Sequence, residues 1–124
     1  MARNLVIFLR SGDWAARYQA ATLALTAAAL GESVHLALSF EALAAWVGGR
    51  FDEGAPPQAA AARVGSLAAM LEEGRRELAL RVVACDTAVR LAGLEPAAAS
   101  AALDGLPSLP ELWRLAAAGR ALSL

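Results

Sequence analysis

The sequence contains no lysine: all 11 of its basic residues are arginine, set against 12 acidic residues. A net charge of −1 with scattered arginines leaves no electrostatic footprint for nucleic acid. One cysteine, Cys85, excludes an intrachain disulfide and any cysteine-rich metal site, and one histidine, His35, leaves nothing to build a zinc site around. Long hydrophobic runs are missing too. The longest stretch without a charge, Tyr18 to Gly31, is too short to span a bilayer and is interrupted by Gln19, Thr22 and Thr26. The N-terminal apolar run Leu5 to Leu9 is closed at once by Arg10, with no small-residue cleavage site, so no secretory signal is visible. These absences predict a cytoplasmic protein with no membrane, nucleic-acid, metal or cofactor partner.

Hydrophobic residues make up 58% of the 124 positions, and mean hydropathy is +0.47. Much of that excess is alanine, which packs closely but covers little area. One domain over 1–124 is expected, long enough to bury a core without staples. Its alanine bias and scarcity of aromatics point to further burial against copies of itself, hence a homo-oligomer.

Strands and helices alternate along the chain. Asn4 to Arg10 reads as a first strand whose Leu5-Val6-Ile7-Phe8-Leu9 run is continuously apolar, as if covered on both faces. Ser11-Gly12-Asp13 follows as a turn whose Ser11 or Asp13 can cap a helix reaching about Leu30, with Trp14, Tyr18, Ala21, Leu25 and Ala28 on one stripe and Gly31 ending it. Ser33 to Ser39 is a second strand, with His35 at its middle, where a packed core histidine is expected rather than a catalytic one. A short helix follows from about Phe40 to Val47. Residues 48–63, bearing Gly54-Ala55-Pro56-Pro57, read as a loop or lid. A helix from Val64 to about Glu77 leads into the third strand.

That strand ends in Val82-Val83-Ala84-Cys85-Asp86-Thr87, a β-branched run that stops at a polar step and continues with helical spacing. Cys85 therefore falls where a strand hands over to a helix, at the carboxyl edge where open parallel sheets bind ligands. A helix start adds free N–H groups and partial positive charge worth about 0.3–1 kcal/mol, which supports charge on sulfur. Asp86 opposes that effect, and Arg90 or Arg10 offsets Asp86 if either reaches the sulfur. Farther on, Pro96 opens an Ala-rich helix over 97–102. A fourth strand is expected over Leu103 to Leu109, short and at an edge because Gly105 and Pro107 interrupt it. Ser108-Leu109-Pro110-Glu111 is a capping box that starts a last helix, and Ala121 to Leu124 is read as the final strand. This order predicts an α/β fold with helices on both faces of a mostly parallel sheet. The turns after its first three strands then converge along one edge.

The chain resembles the DsrE/DsrF-like (DsrEFH-like) sulfur-relay proteins, a family that includes peroxiredoxin-related members. The resemblance rests on the first strand with Ser11-Gly12, on Gly31-Glu32-Ser33-Val34, on the segment from Val82 through Cys85 to Leu94, and on Ser108-Leu109-Pro110-Glu111-Leu112-Trp113. It implies a flavodoxin-like three-layer α/β/α sandwich of five strands, assembled as a dimer, trimer or hexamer. It also implies a persulfide carrier, sulfurtransferase-like at most, that receives sulfur from a donor protein and passes it to an acceptor. The family's functional cysteine maps onto Cys85. Around it, Ser11, Gly12, Asp86, Thr87 and Arg90 are the candidate substrate-binding residues, and the 48–63 loop is expected to cover the site. A peroxide-reducing role is disfavoured, because no Thr-x-x-Cys spacing precedes Cys85. Two alternatives remain open. One is a non-catalytic anion- or nucleotide-binding module using the Ser11-Gly12-Asp13 turn. The other is an oligomeric scaffold in which Cys85 is inert.

Overall fold

The computed structural model describes residues 3–124. Four strands, β1 (Asn4–Leu9), β2 (Ser33–Leu38), β3 (Leu80–Val83) and β4 (Gly119–Ser123), form one all-parallel sheet in the order β3-β2-β1-β4. Helix α1 (Trp14–Ala29) joins β1 to β2. Between β2 and β3 lie α2 (Phe40–Val47), α3 (Pro57–Ala61) and α4 (Leu67–Glu77). Between β3 and β4 lie α5 (Asp86–Leu91), α6 (Pro96–Ala102) and α7 (Leu109–Ala117).

Alternating residues of each strand feed two cores, as the two-residue side-chain period requires. Ile7, Leu9, Leu36 and Val82 face α1 and α4, whereas Val6, Ala37 and Val83 meet Leu112 and Ala116 of α7 on the other side. The inner strand β1 is continuously apolar from Leu5 to Leu9, as suits a strand covered on both faces. No helix among the described residues is long and apolar enough to cross a membrane.

The strand expected over Leu103 to Leu109 does not form, so the sheet has four strands where five were anticipated; Gly105 makes only an isolated bridge to Val83. Asp104 takes its place. Its N–H donates to the Val82 carbonyl at 2.8 Å and its carboxylate accepts the Val82 N–H at 2.8 Å, so a side chain finishes the ladder at the β3 edge. Pro107, with no N–H to offer, prevents the pairing from continuing. Arg75 of α4 grips the same carboxylate at 2.8 and 2.9 Å. Burial pushes the Asp104 carboxyl up, but the Arg75 guanidinium and the Val82 N–H outweigh it and hold it below its usual value.

The buried face of α1 differs from the anticipated stripe. Ala21 and Ala28 are buried as expected, but Ala20, Ala24, Ala27 and Arg17 join them, while Trp14 and Tyr18 stack at the margin with ring centroids 5.3 Å apart. Alanine lets the helix axis approach its neighbours closely, which leaves no room for rings beneath it. Neither Ser11 nor Asp13 caps α1 with its side chain; the Ser11 hydroxyl instead accepts the Asp13 N–H at 3.1 Å. At the other end Gly31, at φ +93°, closes the helix: its N–H reaches the Ala28 carbonyl and that of Glu32 reaches Ala27. Gly119 opens β4, and a Cβ there would overlap the Asn4 backbone.

Residues 48–63 are not a free loop. They contain α3, bury Phe51, and use the Asp52 carboxylate to accept N–H groups at the start of α4.

His35 lies midway along β2, opposite Arg81 in register, with its Nδ1 buried and unpartnered. Burial and the Arg81 charge push its pKa below 6.5. The unfolded chain therefore takes up a proton near pH 6.5 while the folded chain does not, and stability falls as pH drops from that point through the depressed folded value. Urea midpoints measured between pH 7.5 and 5 are expected to fall on the acid side and to flatten in His35→Gln; an unchanged slope in the variant would assign the effect elsewhere.

Candidate functional site

At the carboxyl edge of the sheet the turns after β3, β2 and β1 lie side by side, as the strand order requires. The first two turns share a cavity. It encloses about 570 Å³ and is lined by Ser39 and Phe40 after β2, by Cys85, Asp86, Thr87, Ala88 and Leu91 around α5, and by Leu106, Ser108, Leu109, Pro110 and Glu111 at the start of α7.

Cys85 is half-buried and is the N-cap of α5, with an extended backbone. Its sulfur accepts the Ala88 N–H at 3.3 Å, as a serine hydroxyl would at this position. The carboxylate of Asp86 pairs with Arg90 one turn on, at 3.0 Å, and the same guanidinium nitrogen lies 3.4 Å from the Thr87 hydroxyl. Arg90 is thus engaged on the outer surface of α5, where it offsets Asp86, and neither it nor Arg10 lines the cavity. Cys85, Asp86 and Thr87 are brought together as expected. Ser11 and Gly12 are elsewhere.

The Gly12 N–H, read from sequence as a phosphate donor, is taken by the Glu41 carboxylate at 3.1 Å. A Cβ at Gly12 would overlap that carboxylate, so glycine is what lets α2 and the β1 turn close on each other. Gly12 lines a second cleft of about 270 Å³ with Arg17, Glu41, Arg50, Glu53 and Gly54. Arg17 is only 5% exposed and is the buried charge of the described core. Its guanidinium donates to the carbonyls of Gly12 at 2.9 Å, Glu53 at 2.7 Å, Arg50 at 3.3 Å and Phe51, and it lies 5.9 Å from the centroid of the Phe51 ring. Its two terminal nitrogens are thereby turned onto the chain itself, holding residues 50–53 against the start of α1, while its Nε is buried without a partner. No residue of 48–63 lines the Cys85 cavity, so the expected cover over the cysteine is absent and that segment serves Arg17.

Sequence reasoning missed the apolar rim of the cavity. Phe40, Leu91, Leu106 and Leu109 are all exposed, at 55%, 66%, 39% and 59%. Phe40 also takes φ +49°, a left-handed conformation that a phenylalanine seldom adopts and that recurs in binding sites held under strain. The Ser108–Glu111 capping box was legible and places Leu109 at the mouth, but its partners lie in segments far away along the chain. Among the described residues no group of three His, Cys, Asp or Glu side chains is placed to hold a metal ion.

Set against known proteins, the chain matches no family model and no curated protein.

Proposed function

We propose that this protein carries sulfane sulfur as a persulfide on Cys85, as a sulfur-relay protein of the DsrE/DsrF-like kind. The observation that carries the reading is the placement of the thiol: at a strand end, as a helix N-cap, in the wall of a cavity of about 570 Å³, with the Ala88 N–H 3.3 Å from the sulfur. In loading, the Cys85 sulfur attacks the outer sulfur of a donor persulfide. A new S–S bond forms at Cys85, the donor's S–S bond breaks, and the donor leaves as a thiol with the displaced electron pair and one proton. In discharge an acceptor thiol attacks the outer sulfur of Cys85 persulfide and restores the free cysteine. Two exchanges of this kind need no metal ion.

In this reading the four-stranded sheet is a flavodoxin-like sandwich in which Asp104 replaces the fifth strand at the β3 edge. The protein works in the cytoplasm and associates with itself through exposed apolar residues such as Leu30 and Trp113, which stand 79% and 68% exposed. The anion-binding alternative is weakened because the Gly12 N–H is taken by Glu41 and the Asp13 N–H by the Ser11 hydroxyl.

The test is cyanolysis. Protein exposed to a hydropersulfide and then desalted should release thiocyanate on addition of cyanide, in amounts approaching one per chain. No thiocyanate above that from a cysteine-free control protein would overturn the carrier reading.

A further inference from the structure

The lining of the Cys85 cavity holds two carboxylates, Asp86 and Glu111, and no cation. Arg90 pairs with Asp86 outside it, and Glu111 accepts from Ser108 in the capping box at 3.1 and 3.4 Å. Three hydroxyl residues, Ser39, Thr87 and Ser108, also line it, and the exposed apolar side chains of Phe40, Leu91, Leu106 and Leu109 form its rim. A volume of about 570 Å³ suits a small organic molecule rather than an inorganic ion. An anion entering would lose water against hydrocarbon and find no cationic side chain in the lining, where Arg90 is spent on Asp86 and Glu111 adds a negative charge.

We infer that the cavity selects an uncharged, apolar organic hydropersulfide, R–S–SH with R an alkyl or aryl group, and discriminates against anionic donors such as thiosulfate. This inference rests on the carrier reading. The step is R–S–SH plus Cys85–SH giving R–SH plus Cys85–S–SH: the donor S–S bond breaks, the bond to Cys85 forms, and the R–S sulfur keeps the electron pair and takes a proton. Apolar contact positions R over Leu91, Leu106 and Leu109, which leaves the outer sulfur turned toward Cys85. Nothing is oxidised or reduced overall.

Matched thiol reagents test the selectivity directly. Second-order rates of the native protein with uncharged 4,4′-dithiodipyridine and with dianionic 5,5′-dithiobis(2-nitrobenzoate) are each divided by the rate for a small neutral thiol at the same pH. The normalised ratio should favour the uncharged reagent by at least about tenfold, equivalent to about 1.4 kcal/mol. Leu106→Arg, which places a cation at the mouth, should raise the rate with the dianionic reagent and bring the ratio toward one. A ratio within about twofold of the small thiol, unmoved by Leu106→Arg, would overturn the selectivity while leaving Cys85 an open thiol and the carrier reading standing. Reaction with neither reagent until the protein is unfolded in guanidinium would show a sealed sulfur and overturn both.

Discussion

Cys85→Ser is expected to lose sulfur loading outright and to leave the fold intact. The two consequences separate because the side chain does two things. As the N-cap of α5, the sulfur accepts the Ala88 N–H, and a serine hydroxyl fills that role at least as well. Stability should therefore stay within about 1 kcal/mol of the parent, since serine is among the preferred N-cap residues. As a sulfur acceptor, however, a hydroxyl does not form a persulfide, and no second cysteine exists in the chain to substitute. Parallel measurement of thiocyanate release and of the guanidinium midpoint checks both halves. A serine variant that still loads would mean that the sulfur resides elsewhere, while one that unfolds would mean that Cys85 is held for packing.

Arg17→Met is expected to be the most damaging substitution away from the cavity. The guanidinium supplies hydrogen bonds to four backbone carbonyls, of Gly12, Arg50, Phe51 and Glu53, and methionine can fill its volume without replacing any of them. A buried acceptor left without a partner costs about 1–3 kcal/mol. Phe51 is itself buried, and the other three carbonyls are partly so, which gives an expected loss of about 3 kcal/mol once some regain water. Because Arg17 has no carboxylate among its hydrogen-bond partners, no buried negative charge is stranded by its removal. The loss should appear as increased proteolysis over residues 50–63 as well as a lower denaturation midpoint. A loss below about 1 kcal/mol, the net worth of one ordinary hydrogen bond, would mean that those carbonyls are served equally well by solvent.

Arg17 also shows where the sequence stops being informative. An arginine on a helix reads as solvated, and its true role depends on carbonyls 33 to 36 residues downstream that no local pattern announces. Features with short-range causes were legible: the apolar run of β1, the Gly31 helix stop, the bounds of α2, Pro96 at the head of α6 and the Ser108–Glu111 box. Each is fixed by residues within a few positions of one another. The missing strand failed for the opposite reason, because Asp104 reaches Val82 across 22 positions and its carboxylate performs the pairing. The alanine face of α1 misled through size, since aromatics attract a hydrophobic reading while alanines permit the closest approach.

The candidate site was half legible in the same sense. The strand-to-helix step puts Cys85, Asp86 and Thr87 in one short segment, and all three line the cavity. The opposing wall comes from Ser39-Phe40 and from Leu106 through Glu111, brought over only when the chain folds. Arg90 lies one helical turn beyond the sulfur in sequence, yet its i, i+4 spacing from Asp86 favours the pair that forms. Ser11 and Gly12 belong to the neighbouring turn, where Glu41 takes the Gly12 N–H and the Ser11 hydroxyl takes the Asp13 N–H.

The most direct test is the mass of the folded protein after brief exposure to an alkyl hydropersulfide, followed by peptide mapping under non-reducing conditions. The account predicts a gain of about 32 Da, one sulfur atom, located on the peptide containing Cys85 and removed by an acceptor thiol. An unchanged mass in the folded protein, with the gain seen only after denaturation, would contradict it.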